Sequence, residues 1–243
     1  MDRINILGVQ VDMVTIPEAA DIIVVFLSED KLHTVYTPNS EIIMEAYRDK
    51  AFSKVLNEAD LLTADGIGVV YAAKILKNPI KERCAGFDVA CRVLEKCAKS
   101  GDTVYFFGSK PGVADKAKEV VEERYPGLKV VGTSDGYFDE EKEKQIVADI
   151  NEKKPNVLFV CLGAPKQEKW IYNHKDVLNV NVCMGVGGTV DVLAGTAERA
   201  PEFYINHNIE WLYRLIKQPS RIGRMMDLPK FGFSVLLHGR KFK

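Results

Sequence analysis

Apolar positions along the chain follow two periods. Short uncharged runs over residues 157–162 and 180–186 fit strands covered on both faces. Longer stretches between them carry apolar residues three and four apart, the mark of a helix with one buried face. In chain order the pattern predicts strands over 4–11, 33–37, 61–63, 103–107, 129–132, 157–162 and 180–186. Helices are predicted over 17–27 behind Thr15 and Pro17, from an Asn39 or Ser40 cap to about 56, and from 66 to 76. Further helices follow over 86–100, from 112 to 125, over 140–153 and from Lys166 onward. Alternation at this spacing implies parallel strands with right-handed crossovers, a Rossmann-like α/β fold whose mostly parallel sheet is flanked by helices.

The pattern changes after Pro201. Ile205, Ile209, Leu212 and Ile216 lie at helical spacing as one apolar stripe, and Pro219 and Pro229 are expected to interrupt the basic segment that follows. The expected organisation is an α/β core over residues 1–195, with a half-domain seam near residue 100, and a helical, basic C-terminal appendage over 196–243. With 243 residues, 47% of them hydrophobic, the chain is long enough to bury a full core.

Formal net charge is −1, which gives no reason to expect nucleic acid. The charge is unevenly spread, however. From residue 211 to the end there are eight basic residues against one acid, Asp227, so the tail carries +7 and residues 1–210 carry −8. Such a tail suits an anionic surface or a phosphate. The five cysteines form no CxxC pair, which argues against a disulfide framework or zinc site and fits a reducing cytosol. The start, MDRINILG, lacks the form of a secretion signal, and no apolar run approaches the ~20 residues that span a bilayer. A cytoplasmic protein touching the inner face of the membrane through its tail is the expectation.

Several glycine-rich strand ends offer chemistry. Open α/β sheets bind ligands at the carboxyl ends of their strands. The turn Gly163-Ala164-Pro165, followed by Lys166, Gln167 and Glu168, ends one buried strand; Gly185-Val186-Gly187-Gly188-Thr189, with Asp191, ends another. The turn Gly108 to Gly112 precedes a helix whose free N–H groups suit phosphate, but it lacks the P-loop lysine pattern, so an ATPase is excluded. Val190 stands where a dinucleotide fingerprint needs its third glycine, so NAD is not expected. No Asp-x-Asp occurs, and His33, His174, His207 and His238 are scattered, so neither metal nor cofactor is expected. Asp65, between a strand and a helix, reads from position alone as a helix cap, and the loop Thr37-Pro38-Asn39 at the end of the preceding strand adds the reading of a catalytic carboxylate.

The blocks GAPKQEKWI and GVGGTVDVLAGTAERAP resemble the signatures of the bacterial WecG/TagA/CpsF glycosyltransferase family, and the similarity runs through nearly the whole chain. That resemblance implies an inverting hexosyltransferase. The donor would be a UDP-sugar, UDP-N-acetylmannosamine, and the acceptor a polyprenyl-diphosphate-linked GlcNAc, in the step that builds the wall teichoic acid linkage unit. TPN and ADG resemble family blocks that make Asp65 the base, with Thr37 and Asn39 beside it, and Arg83, Gly86 and Asp88 match an R-x-x-G-x-D pattern, placing Arg83 at the diphosphate. For substrate binding the reading names Gly108, Gly136, Tyr137 (as a stack for uracil), Gln167, Gly187, Gly188, Thr189 and Asp191. Arg214, Arg221 and Arg224 of the appendage are expected to fold over the cleft and clamp the diphosphate, with homo-oligomers forming away from the membrane. Two alternatives stay open. One is a transferase using the uronic acid form of the donor; the other is a non-catalytic nucleotide-sugar-binding regulator of a membrane partner.

Overall fold

The computed structural model describes residues 1–217, 219 and 222–242, apart from the side chain of Arg224. The chain opens with a hairpin of β1 (Arg3–Ile6) and β2 (Val9–Asp12), not the single strand expected over 4–11. Leu7 and Gly8 both take positive φ, 53° and 96°, which turns the chain within two residues. Apolar alternation continues straight through that turn, so periodicity hides it. α1 (Ile16–Leu27) carries the expected Thr15 cap, closed into a capping box by Glu18.

β3 (His33–Tyr36) leads to α2 (Ser40–Arg48), capped by Asn39. The helix expected to reach 56 breaks at Asp49, whose extended backbone ends α2 and whose carboxylate accepts from Ala51 and Phe52 N–H to start α3 (Lys50–Asn57). β4 (Leu61–Leu62), α4 (Ile67–Ile75) and α5 (Gly86–Ser100) follow. Then come β5 (Thr103–Gly108), α6 (Val113–Arg124), β6 (Lys129–Ser134), α7 (Glu140–Lys153), β7 (Val157–Cys161), α8 (Lys166–His174), β8 (Val182–Gly185) and α9 (Thr189–Leu193).

Six strands form one parallel sheet in the order β4-β3-β8-β7-β5-β6. Its two faces follow the period-2 rule. Tyr105, Phe107, Leu158 and Val160 join one core, while Val104, Phe106, Val157 and Phe159 join the other. Every residue of β7 is buried, as the uncharged run requires.

The appendage forms α10 (Glu202–Asn206), α11 (Glu210–Lys217), α12 (Ile222–Met225), α13 (Asp227–His238) and a 3₁₀ turn (Gly239–Phe242). The expected single stripe is divided, because the chain turns between α10 and α11 with Asn208 at positive φ. Pro229 does not interrupt the segment; it lies in the first turn of α13, where a missing N–H is tolerated. α13 packs back on α2 and α4 and puts Phe231 and Val235 into the core. Both nitrogens of the Arg48 fork donate to the Asp227 carboxylate, each at 3.0 Å. The opposite face of α13 leaves Phe233, Leu236 and Leu237 each more than 60% exposed. Among the described residues no helix is long and apolar enough to cross a membrane.

Candidate active site

Strand order sets the residues singled out from sequence along one edge. From β4 across to β6 the strand ends carry Asp65, then Thr37 and Asn39, then Gly187 and Gly188, then Gln167, then Gly108, then Gly136. Six strands at the usual spacing spread this row over roughly 24 Å. Short backbone bonds lock neighbouring loops together. Asp65 N–H donates to the Pro38 carbonyl at 3.2 Å, Ser109 N–H to Cys161 at 3.1 Å, and Gly136 N–H to Ser109 at 2.9 Å.

At the β3–β4 end a small cavity of about 100 Å³ is lined by Asn39, Asp65, Arg83, Glu210, Trp211 and Arg214, among others. Asp65 does not cap the helix after it: Gly66 holds that position with no side-chain bond. The Asp65 carboxylate turns instead to Gly86 N–H, at 3.4 Å, at the start of α5. Gly86 permits the close approach of this corner, since a Cβ there would lie 2.7 Å from Thr37 Oγ1. Thr37 is buried beside the cavity and does not line it; its hydroxyl donates to the Gly185 carbonyl at 3.3 Å, tying the end of β3 to the end of β8. Asn39 Oδ1 accepts from Ile42 N–H as the cap of α2.

Charge in this cavity is tightly coupled. Burial raises the Asp65 carboxyl above the ordinary carboxylate range, Arg214 and Arg83 pull it back, and Glu210 pushes it up again. Arg83 Nη1 donates to Glu210 Oε2 at 2.6 Å, and Arg214 pairs with the other oxygen of the same carboxylate. Despite its own burial, Glu210 is held below the usual range by those two guanidiniums. Arg83 also faces Asp88 at 4.0 Å, and Asp88 is gripped by Arg199. Arg221 and the Arg224 side chain lie outside the described residues.

A larger, open pocket of about 550 Å³ occupies the β5–β6–β7 end, lined by Ser109, Lys110, Gly136, Tyr137, Lys166 and Asp191 with Phe138, Cys161 and Leu162. Gly108 ends β5 and immediately precedes Ser109 of this lining. Tyr137 is 62% exposed on its rim, so packing does not account for its ring. Asp191 Oδ2 accepts from Ser109 Oγ at 3.0 Å, and Lys166 Nζ lies 4.3 Å from the centre of the Phe138 ring. Thr189 is buried, and its hydroxyl donates to the Val186 carbonyl at 2.7 Å, closing its own turn. Gln167 is also buried and accepts from Gly187 N–H at 3.0 Å.

Sequence reasoning did not single out Glu210, Ser109 or Lys110. Ser109 and Lys110 stand inside the glycine turn already read for phosphate. Glu210 carries only its spacing of four from Arg214 as a local sign. Its meeting with Arg83 spans 127 residues and leaves no pattern in the chain.

A sequence profile of the glycosyl transferase WecG/TagA/CpsF family matches residues 4–243. The chain is 37% identical over 216 residues to the N-acetylglucosaminyldiphosphoundecaprenol N-acetyl-beta-D-mannosaminyltransferase of Bacillus spizizenii, covering 88% of this chain and 83% of that protein. An enzyme of the same name from Bacillus subtilis is 36% identical, covering 83% and 78%. Its namesake from Staphylococcus aureus strain MW2 is 34% identical over 243 residues, covering 99% and 95%.

Proposed function

The chain belongs to the WecG/TagA/CpsF family of glycosyl transferases, and from that premise we propose that it transfers N-acetylmannosamine from UDP-N-acetylmannosamine to GlcNAc-diphosphoundecaprenol, in assembly of the wall teichoic acid linkage unit. The observation that carries this reading is the cavity in which the Asp65 carboxylate shares space with the guanidiniums of Arg83 and Arg214 and with Glu210.

An α-linked nucleotide sugar giving a β-linked product requires a single inverting displacement. The acceptor hydroxyl oxygen attacks the anomeric carbon as the bond from that carbon to the diphosphate oxygen breaks. The hydroxyl proton passes to Asp65, and UDP leaves with the bonding electron pair. A carboxyl held above its ordinary range is a stronger base once ionised, which suits that role. Arg83 and Arg214 face the charge that grows on the leaving diphosphate, with Arg221 and Arg224 assigned the same task. Thr37 and Asn39 shape the reacting corner. The nucleoside lies over the open pocket, with the uracil ring against Tyr137 and its polar groups toward Asp191 and the Gly108 and Gly136 loops, while Thr189 holds the turn behind Asp191. Gly187 and Gly188 sit between these ends, at the donor sugar and diphosphate, with the buried Gln167 amide holding their turn from behind.

Residues 1–195 act as the catalytic core in this reading, and 196–243 as the part that completes the site at an anionic membrane surface. The apolar outer face of α13, with Lys230, Arg240 and Lys241 on the same segment, supports that role. Away from the membrane the same face would pair copies of the chain.

The test is Asp65→Asn, assayed as UDP release with a short-chain lipid-linked GlcNAc acceptor. Turnover should fall by about 10²–10⁴-fold while UDP binding persists. Turnover close to wild type would remove Asp65 from the mechanism.

A further inference from the structure

Glu168 has no part in the displacement just described, yet its surroundings are unusual. It is 1% exposed in the first turn of α8, and its Oε2 has no partner among the described residues. A group so enclosed does not reach a ligand. Its other oxygen, Oε1, accepts from Gln167 Nε2 at 2.9 Å. At the far side of the same amide, Gln167 Oε1 accepts the Gly187 N–H. A backbone N–H only donates, so that bond dictates which end of the amide faces the glycine turn. The NH₂ end is left for Glu168, and an oxygen acceptor there is what the orientation requires. Gln167 also lies flat against Gly185, where a Cβ would come within 3.1 Å of Nε2. Gly185 in turn carries the carbonyl that receives the Thr37 hydroxyl. A line of contacts therefore runs from Glu168 through Gln167 to the turn at residues 185–188 and on to Thr37.

A neutral glutamine at 168 would avoid the cost of burying a carboxyl and can still turn an acceptor oxygen to the Gln167 NH₂, but its own NH₂ then needs a partner elsewhere. A carboxyl keeps an acceptor oxygen for that NH₂ whether or not it is ionised. We propose that Glu168 is a positioning residue that fixes the orientation of the Gln167 amide and, through it, the glycine turn that receives the donor's sugar-diphosphate. The inference rests on the assignment of Gln167 and that turn to the donor.

The experiment compares Glu168→Met, Glu168→Gln, Gln167→Ala and the double variant Glu168→Met/Gln167→Ala. Each is measured by calorimetric UDP binding and by kcat and KM for the nucleotide sugar. Methionine matches the shape and removes the acceptor, a change that buried apolar surroundings tolerate. Glu168→Met should weaken UDP binding and raise KM by about tenfold, with kcat changed less than about threefold. Glu168→Gln should recover most of that loss, and the double variant should be no weaker than Gln167→Ala alone. Equal UDP binding in Glu168→Met and wild type, alongside a weakened Gln167→Ala, would overturn the role of Glu168. An unaltered Gln167→Ala would instead overturn the donor assignment on which the inference stands. If the methionine variant fails to fold, Glu168→Ala removes the same acceptor and is judged by the same outcomes.

Discussion

At the scale of single residues, the β3–β4 cavity is governed by one carboxylate acting on another. Glu210 binds the two guanidiniums that also stabilise ionised Asp65, and its own charge raises the Asp65 carboxyl. Glu210→Gln removes a like charge and frees both arginines, and each change lowers the pKa of Asp65. A base works only when deprotonated, so the acid limb of the kcat/KM profile should move to lower pH in this variant. An acid limb that stays in place would detach Glu210 from the base. Glu168 gives a separate signature in stability. Burial holds its carboxyl at about 7, above the ordinary 4.5. Because the folded value is raised, its contribution is fully present below about 4.5 and is lost as pH climbs through about 7. Glu168→Gln should abolish that loss, leaving the variant more stable than wild type at pH 8 by up to a few kcal/mol. Denaturant midpoints at pH 5 and pH 8 provide the check, and a wild-type-like slope in the variant would contradict it.

At the scale of elements, α13 divides its work between two faces. Phe231 is buried against the core, and Phe233, two positions on, is 66% exposed. Phe231→Ala should destabilise the protein by about 3–5 kcal/mol. Phe233→Ala should leave the denaturation midpoint unchanged and reduce co-sedimentation with anionic vesicles. Equal effects on stability would mean that α13 does not sit as described. The same helix shows what could be read in the chain and what could not. The spacing of apolar positions identifies α5, α7 and β7 closely, because each buries one continuous face or both faces without interruption. It passes over the Leu7-Gly8 turn and the Asp49 break, where backbone dihedrals change while the apolar pattern does not. It also misplaces Pro229, whose effect depends on whether it meets a helix in its first turn or later. At the site, Asp65, Thr37, Asn39 and Arg83 are legible as strand-end residues and loop partners. The Glu210–Arg83 pair is not, since only the folded appendage brings α11 to the loop before α5.

At the scale of the molecule, the appendage is both a wall of the cavity and a cover for the core. A chain ending at Gly195 loses Glu210 and Arg214 from the cavity and uncovers the surface of α2 and α4 that α13 shields. It should remain folded as an α/β core, self-associate in light scattering, and retain very little turnover. Full activity of that shortened chain on a lipid-linked acceptor would contradict the assignment of the appendage. The strand order carries one more consequence, for how the protein is made. β8 lies between β3 and β7, so the first and second halves of the sheet meet only through a segment that ends at residue 185. At synthesis rates of 5–20 residues per second, roughly 10–40 s pass before that segment exists. β3 waits through most of this interval and β7, which ends at residue 161, for only about 1–5 s, each with an open edge of unpaired N–H and C=O groups, the kind of surface on which nascent chains aggregate or recruit chaperones. The glycine turn at the end of β8 therefore forms only when the sheet closes, which makes the candidate site one of the last parts of the core to be built.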